Sequence, residues 1–161
     1  MRDHVRADDL SRYKVLPTDG FAYNPMRLNI GSIARNTLGT DCLVSPDYVV
    51  FTTNPDTLAP AYLDQYRRYS AWQRFVTPAG SGSVRVRIYF RDLARMRIAL
   101  PPIEEQHKIA ATLELLDREI ALLEQLRDAY AAQKRGLMQR LLAGDVMLPA
   151  DAEPAAPLAH V

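Results

Sequence analysis

The sequence predicts an α+β protein: a small mixed domain over residues 1–100, one long α-helix over 101–144 and a disordered tail over 145–161. Three observations carry this. Short β-branched and aromatic runs, separated by Gly, Pro and Asn, fill the first hundred residues. Pro101 and Pro102 then mark an abrupt change of period. Beyond them, aliphatic residues recur at alternating steps of four and three, the seam of a coiled coil.

Taken in order, the first dozen residues are charged and patternless. "YKVL" (Tyr13 to Leu16) and "FAY" (Phe21 to Tyr23) read as two short strands around the turn "PTDG". "RLNIGSIARNTLGTD" is too rich in Gly, Asn and Ser for an element to be assigned. "YVVFT" (Tyr48 to Thr52) reads as a buried strand. From Ala59 to Val76, Tyr62, Tyr66, Tyr69 and Val76 lie near a helical spacing, with Pro60 suited to a first turn. "AGSGS" breaks that pattern. "SVRVRIYF" then alternates, Val84, Val86 and Ile88 against Arg85, Arg87 and Tyr89. "RMRIAL" repeats the alternation, Met96 and Ile98 against Arg95 and Arg97. Period two with arginine outward predicts half-buried strands carrying a cationic face.

At Pro102 a helix is expected to begin, with Glu104 and Glu105 complementing the positive end of its dipole. Ile109, Leu113, Leu116, Ile120 and Leu123 form the seam, which continues through Arg127, Tyr130, Lys134, Leu137 and Leu141. Two cations thus interrupt it. Gly144 is a stop signal. A helix of this length extends roughly 60 Å, too long to bury inside a small globule. It either packs back on its own domain or pairs with a partner helix, and a seam sustained over five turns favours the partner.

Charge is unevenly distributed. The net charge is +5 up to Pro101 and −1 from Pro102 to Gly144, and the tail carries three acids and no bases. Arginine supplies 17 of the 20 cations, and its planar fork suits phosphates and guanine edges. A polyanion partner is therefore expected for the first part only. Cys42 is the single cysteine, which excludes a disulfide framework and suits a reducing cytoplasm. No signal core and no run of about 20 apolar residues is present, so no membrane partner is expected.

Candidate contacts with a nucleic acid follow from these patterns. Arg85, Arg87, Arg91, Arg95 and Arg97 are offset only by Asp92, and Ser81 and Ser83, between Gly80 and Gly82, leave amides open to phosphate. Arg27 and Arg35 lie in the Gly/Asn-rich run, where a loop could enter a groove. A solvated strand face and an ordinary polar loop remain the alternatives. Catalysis is not supported. "YNPM" (Tyr23 to Met26) lacks the second proline and the aromatic of an adenine methyltransferase signature. His4, His107 and His160 lie far apart without metal-ligand spacing. His107 falls on an outward heptad position, and Cys42 has no activating cation beside it. No cofactor or metal is expected.

The run from Leu100 to Val146 resembles the long helix of the specificity subunit of type I restriction–modification systems. The shared pattern is Leu100, Pro101, Pro102, Glu105, Gln106, Ile109 and Ala110, closing on Leu137, Met138, Gln139, Leu141, Leu142 and Gly144. Upstream, Asn24, Met26, Arg27, Gly31, Ser32, Ile33, Ser45, Pro46, Tyr48 and Val50 resemble the later part of that family's target recognition domain. The resemblance covers about 130 residues. It implies that residues 1–100 are a recognition domain incomplete at its N-terminus, since the segment that precedes "YKVLPTDG" in the family is absent, and family members usually carry two such domains and two long helices where this chain has one of each. It also implies a non-catalytic, DNA-reading subunit. Its partners would be double-stranded DNA, modification subunits bearing the methyl-transfer chemistry, a restriction subunit, and a second specificity subunit or half-subunit. That last partner would be met through Ile109, Leu113, Leu116, Ile120, Leu123, Tyr130, Leu137 and Leu141. A coiled-coil adaptor or truncated fragment that no longer reads DNA is the alternative.

Overall fold

The computed structural model describes residues 10–77 and 87–148. Five three-residue strands, β1 (Lys14–Leu16), β2 (Phe21–Tyr23), β3 (Ile33–Arg35), β4 (Cys42–Val44) and β5 (Val49–Phe51), precede four helices. The helices are α1 (Pro60–Tyr66), α2 (Ser70–Val76), α3 (Phe90–Leu93) and α4 (Ile103–Leu142). The α+β class with one long C-terminal helix is therefore correct. The chain divides into two compact units, 1–114 and 115–161, so α4 begins inside the first.

β1 and β2 form as expected but do not pair with each other. β1 pairs antiparallel with β4, Val15 facing Leu43, whereas β2 lies between β3 and β5. The cause lies at the turn. Pro17 has no N–H to offer a hairpin, and the carbonyls of Leu16 and Pro17 both accept from the buried Asn36 Nδ2 at 3.2 Å. Asn36 Nδ2 also donates to Thr40 O at 2.8 Å, and its Oδ1 accepts from Leu38 N at 3.1 Å. The two strands are thus steered into separate sheets. Asp19 sits at φ 61° in this turn, a left-handed conformation that aspartate tolerates.

Across β2 and β5, Phe21 stands opposite Phe51, and the rings stack 5.2 Å apart. Around them gather Tyr23, Leu28, Ile33, Leu63, Trp72 and Val76. The single helix expected over 59–76 is in fact two. Leu63 and Trp72, nine residues apart, would lie on opposite sides of one straight helix at 3.6 residues per turn. A break at Arg67–Tyr69 turns both into the core, and Pro60 occupies the first turn of α1 as expected.

The alternating arginine segments are a second correction. Val84 and Val86 lie outside the described residues, Arg87–Tyr89 forms no strand, Phe90–Leu93 is helical and 95–100 forms no strand. The faces nevertheless follow the alternation: Ile88, Met96 and Ile98 pack on the core, and Arg87, Arg95 and Arg97 are exposed. Ile88 N–H donates to Pro25 O at 2.9 Å, and Ile88 O accepts from the buried Tyr23 hydroxyl at 3.2 Å.

α4 is seated by one carboxamide. Gln106 is 1% exposed; its Oε1 accepts from Ala59 N at 3.0 Å, and its Nε2 donates to Thr57 O at 3.0 Å and Pro101 O at 2.9 Å. Ala110, one turn on, is also buried. Another turn on, Glu114 reaches Arg35. The inward face is therefore Gln106, Ala110 and Glu114, not the leucines. At the far end Gly144, at φ 78°, closes a Schellman motif, with Asp145 N bonded to Arg140 O at 2.9 Å and Gly144 N to Leu141 O at 3.2 Å.

Two measurements check this account. Gln106→Leu strands the Ala59 N–H and two carbonyls without water, and is expected to destabilise the first unit by about 2–4 kcal/mol in urea unfolding. A midpoint equal to that of the parent chain would show the seat to be dispensable. Burial, and secondarily the charge of Asp92, push the Tyr23 phenol from 10.0 up to about 12. The folded state thus holds this proton more tightly than the unfolded one. Its contribution is intact below about pH 10 and is lost as pH rises through about 12. Urea midpoints should fall across that window, and Tyr23→Phe should flatten the fall.

Candidate nucleic-acid interface

The residues expected to touch a nucleic acid fall into three places. Ser81, Ser83 and Arg85 lie outside the described residues. Arg87 is exposed on the segment fixed by Ile88. Arg27 is exposed at the start of a short 3-10 turn, Leu28–Ile30. Its loop is ordered by Asn24, whose Oδ1 accepts from Met26 N at 2.9 Å and whose carbonyl accepts from Arg27 N at 3.0 Å. Because Pro25 O takes the Ile88 N–H, the Arg27 loop and the Arg87 segment run side by side.

Arg35 stands apart. It ends strand β3 rather than lying in a loop, and its side chain is 12% exposed among three carboxylates. Its Nη2 donates to Glu114 Oε1 at 2.8 Å, Nη1 lies 3.6 Å from Asp19, and Nε lies 3.9 Å from Asp64 Oδ2. Asp64 in turn accepts from Arg67 Nε at 2.7 Å. This cation is engaged within the protein, tying β3 to α1 and to the first turns of α4.

The segment after Tyr89 carries the remaining candidate cations. Tyr89 is half-exposed, with the guanidinium carbons of Arg87 and Arg91 at 5.3 and 5.4 Å from its ring centre. Arg91 and Arg95 share Asp92 at 3.8 and 3.9 Å, all three side chains open to solvent. Such exposed pairs contribute little to stability, so these arginines remain available to an external anion. Beneath them lies an apolar cavity of about 220 Å³, lined in part by Phe51, Trp72, Phe90 and Met96. Among the described residues no cluster of His, Cys, Asp and Glu could hold a metal, and no helix is long and apolar enough to cross a membrane.

On α4, Ile109 and Leu141 are half-buried, and Leu113, Leu116, Ile120, Leu123, Tyr130 and Leu137 are exposed, Ile120 at 55% and Leu123 at 58%. His107 is exposed, as its heptad position implies. Leu115, Leu122 and Leu126 are also exposed, on a different side of the helix from the seam. Sequence reasoning passed over this second apolar face, although the seven-residue step from Leu115 to Leu122 could have revealed it.

Comparison with known proteins places these features in context. Residues 29–129 match the family model described as type I restriction modification DNA specificity domain. Among solved structures, the chain is similar to the HsdS subunit from Thermoanaerobacter tengcongensis, at 22% identity and a TM-score of 0.64. That match covers 92% of this chain and 38% of the other. It is also similar to a chain from a structure concerned with complex assembly and conformational transition of the type I R-M system, at 24% identity and a TM-score of 0.67. The match covers 92% of this chain and 39% of that one. The fold is shared, and the chain spans about two fifths of the length of each structure.

Proposed function

The chain belongs to the family of type I restriction modification DNA specificity domains, and from that premise we propose that it acts as a non-catalytic, sequence-specific DNA-binding subunit of a type I restriction–modification complex. The observation that carries this reading is the family match over residues 29–129, which takes in the arginine segment and most of the helical seam. Double-stranded DNA meets the domain along Arg27 and the exposed arginines from Arg87 to Arg97. Methyl transfer and cleavage fall to modification and restriction subunits.

The uncovered seam of α4 supports pairing with the helix of a second specificity subunit or half-subunit. Each large aliphatic side chain of the stripe would release about 1.5–3 kcal/mol on burial. The second face, at Leu115, Leu122 and Leu126, supports docking of modification subunits on the paired helices. Arg127 and Lys134 bear on orientation. In a parallel, in-register pair each would face its own copy, whereas an antiparallel pair offsets them. Two recognition domains would then stand at opposite ends and read a split target.

Duplex binding by the full chain is expected to weaken linearly in log salt, by about 0.9 for each phosphate neutralised. Absence of duplex binding at low salt would leave a coiled-coil adaptor in its place. Separately, sedimentation is expected to show a dimer that Leu116→Asp with Ile120→Asp converts to monomer. Cysteines placed at the two ends of α4 should crosslink unlike ends. Crosslinks between like ends alone, or a parent chain that stays monomeric at high concentration, would overturn the antiparallel pair.

A further inference from the structure

We infer that Arg87, Tyr89 and Arg91 form a phosphodiester clamp, in which the Tyr89 ring holds two guanidinium groups ready for one stretch of DNA backbone. The inference rests on the DNA-binding reading above and assigns it a built contact point. Burial alternates here: Arg87 and Tyr89 are exposed and lie against each other, while Ile88, 8% exposed, points into the core. That core contact is fixed twice, by Ile88 N–H to Pro25 O at 2.9 Å and by the Tyr23 hydroxyl to Ile88 O at 3.2 Å. The platform carrying Tyr89 is therefore rigid although its ring is 48% exposed.

The two guanidinium carbons reach the same ring, at 5.3 Å from Arg87 and 5.4 Å from Arg91. A tyrosine face attracts a cation within about 6 Å, which restricts two otherwise mobile side chains. Bringing like charges to one ring is repulsive, and a bound anion relieves it. Local acids do not fill that role. Arg87 has no carboxylate partner among the described residues, and Asp92 is shared at long range by Arg91 and Arg95. Guanidinium forks suit an anion with paired oxygens. Arg95 and Arg97, exposed further along the chain, continue the positive track as successive phosphates of a duplex require. An isolated anion would need no such track.

Tyr89 is on this account a positioning residue, and its test separates orientation from charge. Duplex affinity of the full chain would be measured by fluorescence anisotropy across a salt series. Tyr89→Phe keeps the ring face and should stay within about twofold of the parent, whereas Tyr89→Leu should weaken binding about tenfold with no charge removed. Arg87→Gln and Arg91→Gln should each cost more than Arg95→Gln, and their double variant should show coupling that Tyr89→Leu abolishes. Inorganic phosphate at constant ionic strength should not displace the duplex, whereas displacement would identify a free-anion site. Equal affinity for Tyr89→Leu and parent would overturn the clamp. So would additive losses at Arg87 and Arg91 matching that at Arg95, a measurement that stands even if Tyr89→Leu does not fold. Both results leave the DNA-binding reading intact. A parent chain that ignores duplex but binds polyglutamate would overturn that reading as well, in favour of an acidic protein partner.

Discussion

The way α4 enters the first unit depends on how Gln106 is held. Its carboxamide has two N–H donors and one carbonyl acceptor, and all three functions are taken by backbone groups of the loop before α1 and of the double proline. Once that group is fixed, the rotation of α4 about its own axis is fixed within the first unit. Ala110 and Glu114 follow inward at steps of four. Leu113 lies on another side and stays open to solvent. A leucine at the seat would bury more apolar surface and leave three backbone groups stranded. The polar solution orients, whereas an apolar one would merely adhere.

The same division between orienting and adhering groups recurs at the arginines. Arg35 and Arg87 look alike in sequence, each among small or β-branched neighbours. Arg35 is surrounded by carboxylates drawn from β-turn, α1 and α4, and it serves cohesion. Its Nε–H lacks a hydrogen-bond partner, since Asp64 stops at 3.9 Å. That leaves the cluster electrostatically favourable but imperfectly satisfied. Arg87, by contrast, lies against the Tyr89 ring and has no carboxylate partner among the described residues. Positive charge on the domain is thus partitioned between an internal lock and an outward segment.

What the sequence disclosed follows from what periodicity measures. The long helix was legible at both ends, because Pro102 and Gly144 act locally and need no partner to be understood. The alternation at Arg87–Tyr89 and Arg95–Ile98 correctly separated inward from outward residues, yet it implied strands that the described residues do not form. Period two reports which side a residue takes, not whether a neighbouring chain supplies hydrogen bonds. β3, hidden in a run of Gly, Asn and Thr, and β4, just after it, form because Asn36 and the flanking strands support them, which no local propensity records. The partners of Arg35 come from three distant parts of the chain, and no spacing rule could unite them.

Asn36 has a consequence for how this fold can vary. All four of its side-chain hydrogen bonds go to main-chain atoms, those of Leu16, Pro17, Leu38 and Thr40. A side chain that grips only backbone is indifferent to which residues that backbone carries. Exposed positions such as Leu38 and Thr40 can therefore be exchanged while the junction between the two small sheets keeps its shape. On the DNA-reading role proposed above, such a joint would let the contacting surface change without dismantling its support.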